Sequence, residues 1–258
     1  MAALTRFVVI GQHRTGTNLL ASYLNHHERV VAFGEICAGE DELSWGSSVP
    51  RDALPPGAGD EVGGWAARRN ADPVGFLETF VFGAPGEKGR DVRGFKLLYE
   101  HAWKGRLRAV RDWIEAGADL RILHLKRLNP LRTFASRQVA HLTGVYTAFA
   151  EPPEEVSATA ANPRVVQLQR FFERTAIMER EHDYLLRRSR VIPLYYEDIE
   201  RNPQVELDRV FRFLEVAPAP VSTSLRKLNP RPLREMLGNY DELKTAFQKS
   251  HWLAYFEE

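Results

Sequence analysis

Two glycines, one arginine and the start of a helix form the most informative stretch of the chain. Gly11 and Gly16 are separated by four residues in FVVIGQHRTGTNLL, residues 7–20. Ahead of Gly11, Phe7-Val8-Val9-Ile10 is a continuous apolar run rich in β-branched residues, which predicts a strand buried on both faces. After Gly16, Leu19, Leu20, Tyr23 and Leu24 recur at helical spacing. Strand, glycine-flanked turn and helix N-terminus together make a cradle for phosphate. Free backbone N–H groups and the positive helix end face the anion, and glycine lets the backbone come close. The spacing begins like a nucleotide P-loop, but Thr17 and Asn18 stand where Lys and Ser/Thr would serve the β/γ-phosphates and magnesium. The cation lies inside the loop instead, as Arg14. The stretch therefore reads as a phosphate site that works without a bound magnesium ion. The plainer alternative is an ordinary βα turn.

A second constellation runs from Arg127 to Ser136 (RLNPLRTFAS). A guanidinium at a strand end and a hydroxyl two turns into the next helix can converge on one phosphate, the first as a planar fork of donors and the second as a neutral one. Arg132 and Arg137 read as surface charges. Further polar residues follow other apolar runs: Glu35 after 30–33, Glu100 and His101 after 94–99, Lys126 after 121–125, and Tyr196 and Glu197 after 191–195.

These groups need elements to hold them. Strands are expected over 7–10, 30–33, 94–99, 121–125 and 191–195. Pro193 places the last of them at a sheet edge. Helices are expected from Gly16, near 73–81, and over 106–116, 131–142, 165–187 and 203–214. The long helix over 165–187 should bury Leu168, Phe172 and Ala176. Strands alternating with helices imply an α/β protein with right-handed crossovers. The expected architecture is a P-loop-like three-layer fold, with a central, mainly parallel sheet of about five strands flanked by helices. Ligands of such sheets bind at the carboxyl ends of the strands, where the polar residues collect. The whole of 1–258 is expected to be one domain. Within it, 38–92 reads as a loop-rich insertion that shapes the acceptor site, and 144–162 as a second loop.

The motifs carry a family resemblance. Arg14-Thr15-Gly16-Thr17-Asn18 resembles the 5′-phosphosulfate loop of the sulfotransferases, which use 3′-phosphoadenosine 5′-phosphosulfate (PAPS). Its Arg-Thr-Gly form is similar to the bacterial Stf0-like carbohydrate and glycolipid branch. Arg127 with Ser136 resembles the family's 3′-phosphate motif, and Arg-x-Asn-x-Leu-Arg is the form of the same branch. Tyr195-Tyr196-Glu197-Asp198-Ile199 is similar to the Tyr-Glu-Asp-Leu segment that closes the family core, a structural role. Residues 237–243 (LGNYDEL) also look like this branch, whereas 38–92 match nothing in it.

The resemblance implies roles for single residues. Arg14, Thr15, Gly16, Thr17 and Asn18 would hold the 5′-phosphosulfate, and Arg127 and Ser136 the 3′-phosphate. Glu35 stands where this branch carries its Gly-Glu catalytic base. The residues after it depart from the pattern, Ile36-Cys37 replacing a proline. Service as a base calls for a closed, desolvated site. Its bland alternative is a scaffold carboxylate paired with Arg14 or Lys96. His101 is the rival base, because other sulfotransferases use a His after a Lys-bearing strand. Lys96 would neutralise the transferred group, and Arg14 the leaving phosphate.

The implied activity is transfer of a sulfuryl group from PAPS to a hydroxyl of a carbohydrate, glycolipid or other small metabolite, with 3′,5′-adenosine diphosphate as product. The rivals are a P-loop kinase or NTPase and a non-catalytic nucleotide-binding module. The totals are those of a soluble globular protein: 258 residues, 44% hydrophobic and 27% charged, with a net charge of +1. So small a net charge gives no support for nucleic acid as a partner. The single cysteine, Cys37, excludes an intramolecular disulfide and reads as a buried, inert thiol. The pair His26-His27 lacks a third ligand at suitable spacing, so no metal site is expected. No run reaches the length of a membrane span, and the opening residues lack a signal-peptide layout, so a cytoplasmic location is expected. The oligomeric state cannot be read from the sequence.

Overall fold

In a computed structural model that describes residues 4–58, 62–83, 89–116, 119–147 and 154–257, the strands and helices alternate. The order is β1 (Thr5–Gly11), α1 (Thr17–His26), β2 (Val30–Phe33), α2 (Val62–Ala71), α3 (Pro73–Phe76) with a wider turn over Leu77–Val81, β3 (Val92–Leu98) and α4 (Arg108–Glu115). There follow β4 (Arg121–Lys126), α5 (Pro130–Thr143), α6 (Glu154–Ala158), α7 (Val165–Leu185), β5 (Arg190–Tyr195), α8 (Tyr196–Arg201), α9 (Pro203–Phe213), α10 (Leu233–Met236) and α11 (Tyr240–Ala246). No helix among the described residues is long and apolar enough to cross a membrane.

Residue contacts group the chain into two compact units, one of 1–126 with 182–223 and one of 127–181 with 224–258. The first holds the five-stranded sheet, in the order β2-β3-β1-β4-β5, all pairs parallel. The apolar run at β1 is central because both its faces are covered. Phe7 and Val9 join Leu20 and Leu24 of α1 and Leu207, Val210 and Phe211 of α9 in one core layer. Val8 and Ile10, on the opposite face, are buried as well. β5 lies at the edge, where Pro193 costs no ladder bond to a further strand. The second unit is helical. Leu131, Phe134, Val139, Leu168, Phe172, Leu233, Leu243 and Phe256 form its core.

Several elements differ from the sequence expectations. Among the described residues, the stretch over 38–92 carries one α-helix, α2, beyond the one expected near 73–81. α2 occupies 62–71 although Gly63 and Gly64 weaken its helical propensity. Its order comes from tertiary packing: Trp65 meets Trp45, Phe76 and Phe80 at ring separations of 5.3, 6.1 and 5.2 Å. The expected helix near 73–81 is present, opened by the Asp72 carboxylate accepting from the Gly75 N–H at 2.9 Å. A short helix, α6, lies within 144–162. α7 buries Leu168, Phe172, Thr175 and Met178, while Ala176 is exposed. The inward face is thus offset by one residue there. Residues 59–61 and 84–88 of the insertion, and 148–153 of the second loop, lie outside the described residues.

Candidate active site

The chain leaves β1 toward β2 on one side of the sheet and leaves β4 toward β5 on the other. The switch point therefore falls at the carboxyl ends of β1 and β4, where open α/β sheets bind ligands. The turn after β1 is built from its own atoms. The Thr15 hydroxyl donates to the Gln12 carbonyl at 2.7 Å, and the Thr15 N–H reaches the same oxygen at 3.4 Å. Arg14 and Gly16 both take left-handed backbone, with φ of 67° and 92°. Gly16 has a second reason to be glycine, because a Cβ there would stand 2.5 Å from the ring of Tyr196. At Gly11 a Cβ would stand 2.7 Å from the Leu125 carbonyl oxygen. Gly16 is the N-cap of α1, which has no side-chain cap and no acidic residue in its first turn. A helix that starts without a side-chain cap or an acidic first turn offers its positive end to an anion. The donor set and the close-packed glycines fit a phosphate group.

A lysine joins this loop to the end of β2. Lys96 lies on β3 beside Val9 of β1 and is 5% exposed. Its Nζ donates to the Asn18 side-chain oxygen and lies 3.3 Å from Glu35 Oε1. Burial lowers the Lys96 pKa, and the Glu35 carboxylate opposes that shift. Glu35 is two residues past β2, and its other oxygen stands 4.0 Å from His101 Nε2. The Leu98 N–H donates to His101 Nδ1 at 3.3 Å, so in the neutral ring the proton is on Nε2, facing Glu35. Burial pushes the His101 pKa down to about 4, against the pull of Glu35. The ring therefore offers Glu35 a donor, since its lone pair is taken by the backbone. His13 of the loop touches the His101 ring edge-on at 5.6 Å.

The segment that carries Glu35 is clamped at both ends. The Gly34 N–H donates to the Trp45 carbonyl at 2.6 Å and the Ser44 N–H to the Glu35 carbonyl at 3.1 Å. A Cβ at Gly34 would meet the Gly46 N at 2.5 Å, so the two backbones cross in contact. The enclosed strap, 36–42, wraps around the guanidinium of Arg69, which is fully buried. Cys37 is buried in the same strap, and burial pushes its thiol up to about 12.

A polar network lies under the loop. The Tyr99 N–H donates to the Gly11 carbonyl at 2.9 Å, and the Tyr99 hydroxyl meets His124 Nε2 at 2.6 Å. His124 Nδ1 faces Asp183 at 3.4 Å, and Lys126 binds that carboxylate at 2.7 Å. Burial, and then Lys126, push the His124 pKa down to about 4.

Arg127 and Ser136 belong to the second unit. Arg127 is half-buried and directly follows β4, and Ser136 is buried on α5. Asn129 caps that helix by accepting from the Arg132 N–H at 3.1 Å, and it donates to the Tyr255 carbonyl at 3.0 Å. Arg137 is exposed. Arg132 is half-buried and donates to the Arg231 carbonyl at 2.7 Å, so it serves as a backbone tie. Sequence reasoning missed Arg69 and the Tyr99–His124–Asp183 chain. Arg68-Arg69-Asn70 reads locally as a solvated face, and only α2 shows which of the two arginines points inward.

No protein-family model matches the chain, and no curated protein matches its sequence. Solved structures do. A sulfotransferase from Alicyclobacillus acidocaldarius aligns over 99% of this chain and 95% of its own, with a TM-score of 0.51 and 17% identity. The chain has a sulfotransferase-like fold. The sulfotransferase domain from the curacin biosynthetic pathway aligns over 85% of this chain and 77% of its own, with a TM-score of 0.48 and 17% identity. A mouse sulfotransferase complexed with PAP aligns over 95% and 67%, with a TM-score of 0.40 and 11% identity.

Proposed function

We propose that the chain transfers a sulfuryl group from PAPS to a hydroxyl of a carbohydrate or another small metabolite. The observation that carries this reading is Lys96, whose buried ammonium binds both Asn18 at the start of α1 and the Glu35 carboxylate. A phosphate cradle, a cation and a candidate base thereby form one connected group. In a P-loop kinase the residue after Gly16-Lys would serve magnesium. Here that region presents an amide already held by a lysine, which favours the sulfuryl reading over the kinase.

The chemistry divides between donor side and acceptor side. Arg14 and the N–H groups at the start of α1 would take the charge that gathers on the leaving phosphate. Arg127 and Ser136 are assigned to the 3′-phosphate on their sequence resemblance. Glu35 would accept the acceptor hydroxyl's proton as the oxygen bonds to sulfur and the bond from sulfur to the bridging phosphate oxygen breaks. Lys96 would neutralise the transferring group. His101, with Nε2–H toward Glu35, would orient the carboxylate. Acceptor choice is assigned to residues 38–92, which adjoin Glu35 in sequence.

The test is transfer of labelled sulfate from PAPS to a panel of hydroxyl acceptors, with Glu35→Gln as control. Labelled product from the wild type and a loss of at least ~100-fold in the variant would support the reading. Equal labelling by both proteins would remove Glu35 as the base.

A further inference from the structure

We propose that Arg69 is a positioning residue that sets the place of Glu35, acting through the strap 36–42. The proposal rests on the reading of Glu35 as the base.

A buried guanidinium is costly unless all its donors are met. The four Nη–H donors of Arg69 are met within a single short segment. Nη1 donates to the carbonyls of Ile36 at 2.6 Å and Glu42 at 2.7 Å, and Nη2 to those of Gly39 at 2.6 Å and Glu40 at 2.8 Å. The fifth, Nε–H, goes to the Asn70 side-chain oxygen at 3.1 Å, an atom that also lies 2.8 Å from Nη2. Asn70 in turn donates to the Glu40 carbonyl at 2.7 Å. These partners are carbonyl and amide oxygens rather than carboxylates. A rigid fork bonded to several carbonyls of one loop selects one conformation of that loop, which an apolar side chain of equal volume would not do.

Within the strap itself the Glu42 N–H donates to the Gly39 carbonyl at 3.3 Å. Its ends are closed by the Gly34–Trp45 and Glu35–Ser44 backbone bonds, and Ile36, the first carbonyl held by Arg69, directly follows Glu35. Freeing the strap therefore frees the residue that must keep its carboxylate against Lys96. A misplacement of about 1 Å at a reacting group can cost ~100-fold in rate.

Cys37 makes the idea testable without an acceptor. It is the chain's one cysteine and is fully buried inside the strap. Any thiol label therefore reports opening of this segment or of the whole fold, and the two differ in their response to denaturant. The variants are Arg69→Lys, which keeps charge and loses the fork, and Asn70→Ala, a milder change that leaves Arg69 in place. Three quantities would be measured on the full chain. These are affinity for 3′,5′-adenosine diphosphate, the Cys37 labelling rate across low denaturant, and turnover of PAPS with water as acceptor.

The expected result has three parts. Affinity for the bisphosphate stays within about twofold of wild type, because the phosphate loop does not depend on the strap. Cys37 is labelled at least about tenfold faster, at a rate nearly independent of denaturant. Turnover falls about tenfold at unchanged KM for PAPS, and adding Arg69→Lys to Glu35→Gln lowers it no further. Unchanged labelling in both variants would overturn the proposal. So would full additivity of the Arg69 and Glu35 substitutions. Should Arg69→Lys fail to fold, Asn70→Ala decides by the same criteria. If the wild type neither binds the bisphosphate nor turns over PAPS, the sulfotransferase reading fails and takes the Glu35 role with it. Labelling then still shows whether Arg69 orders the strap.

Discussion

The phosphate loop after β1 and the strap after β2 both hold a short segment still at the end of a buried strand, by opposite means. The loop is fixed by neighbours in sequence: Thr15 binds Gln12, three residues away, and two residues take left-handed backbone. The strap is fixed from a distance, by a guanidinium 33 residues beyond Ile36 and by an aromatic cluster from α2 and α3. A locally built loop tolerates change around it and fails when its own residues change. A tertiary strap does the reverse.

Substitutions can separate the two. Gly16→Val has the largest expected effect. It places a β-branched residue at a φ of 92° and against the Tyr196 ring, so calorimetry should find bisphosphate binding abolished. Retained micromolar affinity would mean that the loop is not the donor site. Glu35→Gln comes next, with turnover down ~10²–10⁴-fold and bisphosphate affinity within about twofold. Trp45→Ala attacks the strap from its apolar side. It should cost about 3–5 kcal/mol of folding stability by denaturant titration and speed Cys37 labelling, with donor affinity unchanged. A matching loss of donor affinity would show that the two regions are one cooperative structure.

Acid is the mildest lever, acting through buried histidines on both sides of the comparison. His101 and His124 are each held down to about 4 in the folded chain, against 6.5 in the unfolded one. Between these values the unfolded chain binds the extra protons. Stability is therefore whole above pH 6.5 and falls as pH drops toward 4, by on the order of 3 kcal/mol for each histidine. Denaturant midpoints at pH 7 and pH 4.5 measure the fall, and His124→Gln should remove about half of it. A fall of the same size in that variant would mean that other groups set the acid sensitivity.

The same contrast explains what could be read from the sequence. The five strands, their parallel arrangement and the edge position of the Pro193 strand follow from short apolar runs, proline and alternation with helices, which are local signals. So does the loop with Arg14 and Gly16. The Glu35–Lys96 pair is legible in the sequence as the scaffold alternative for Glu35, and His101 only as a polar residue at the same end of the sheet. The His101 Nδ1 bond to the Leu98 N–H, which makes the ring a donor to Glu35, needs the backbone path after β3. Arg69 and the helical order of 62–71 were not legible. A basic residue on a glycine-started helix looks solvated until Trp45 and the strap carbonyls are brought to it.

The most direct test of the sulfotransferase reading is calorimetric titration of the protein with 3′,5′-adenosine diphosphate, with Arg127→Ala and ATP-magnesium as comparisons. A PAPS-type donor site predicts micromolar binding of the bisphosphate, much weaker binding by Arg127→Ala, and no measurable binding of ATP-magnesium. Absence of bisphosphate binding, or a preference for ATP-magnesium, would contradict it and return the chain to the nucleotide kinases.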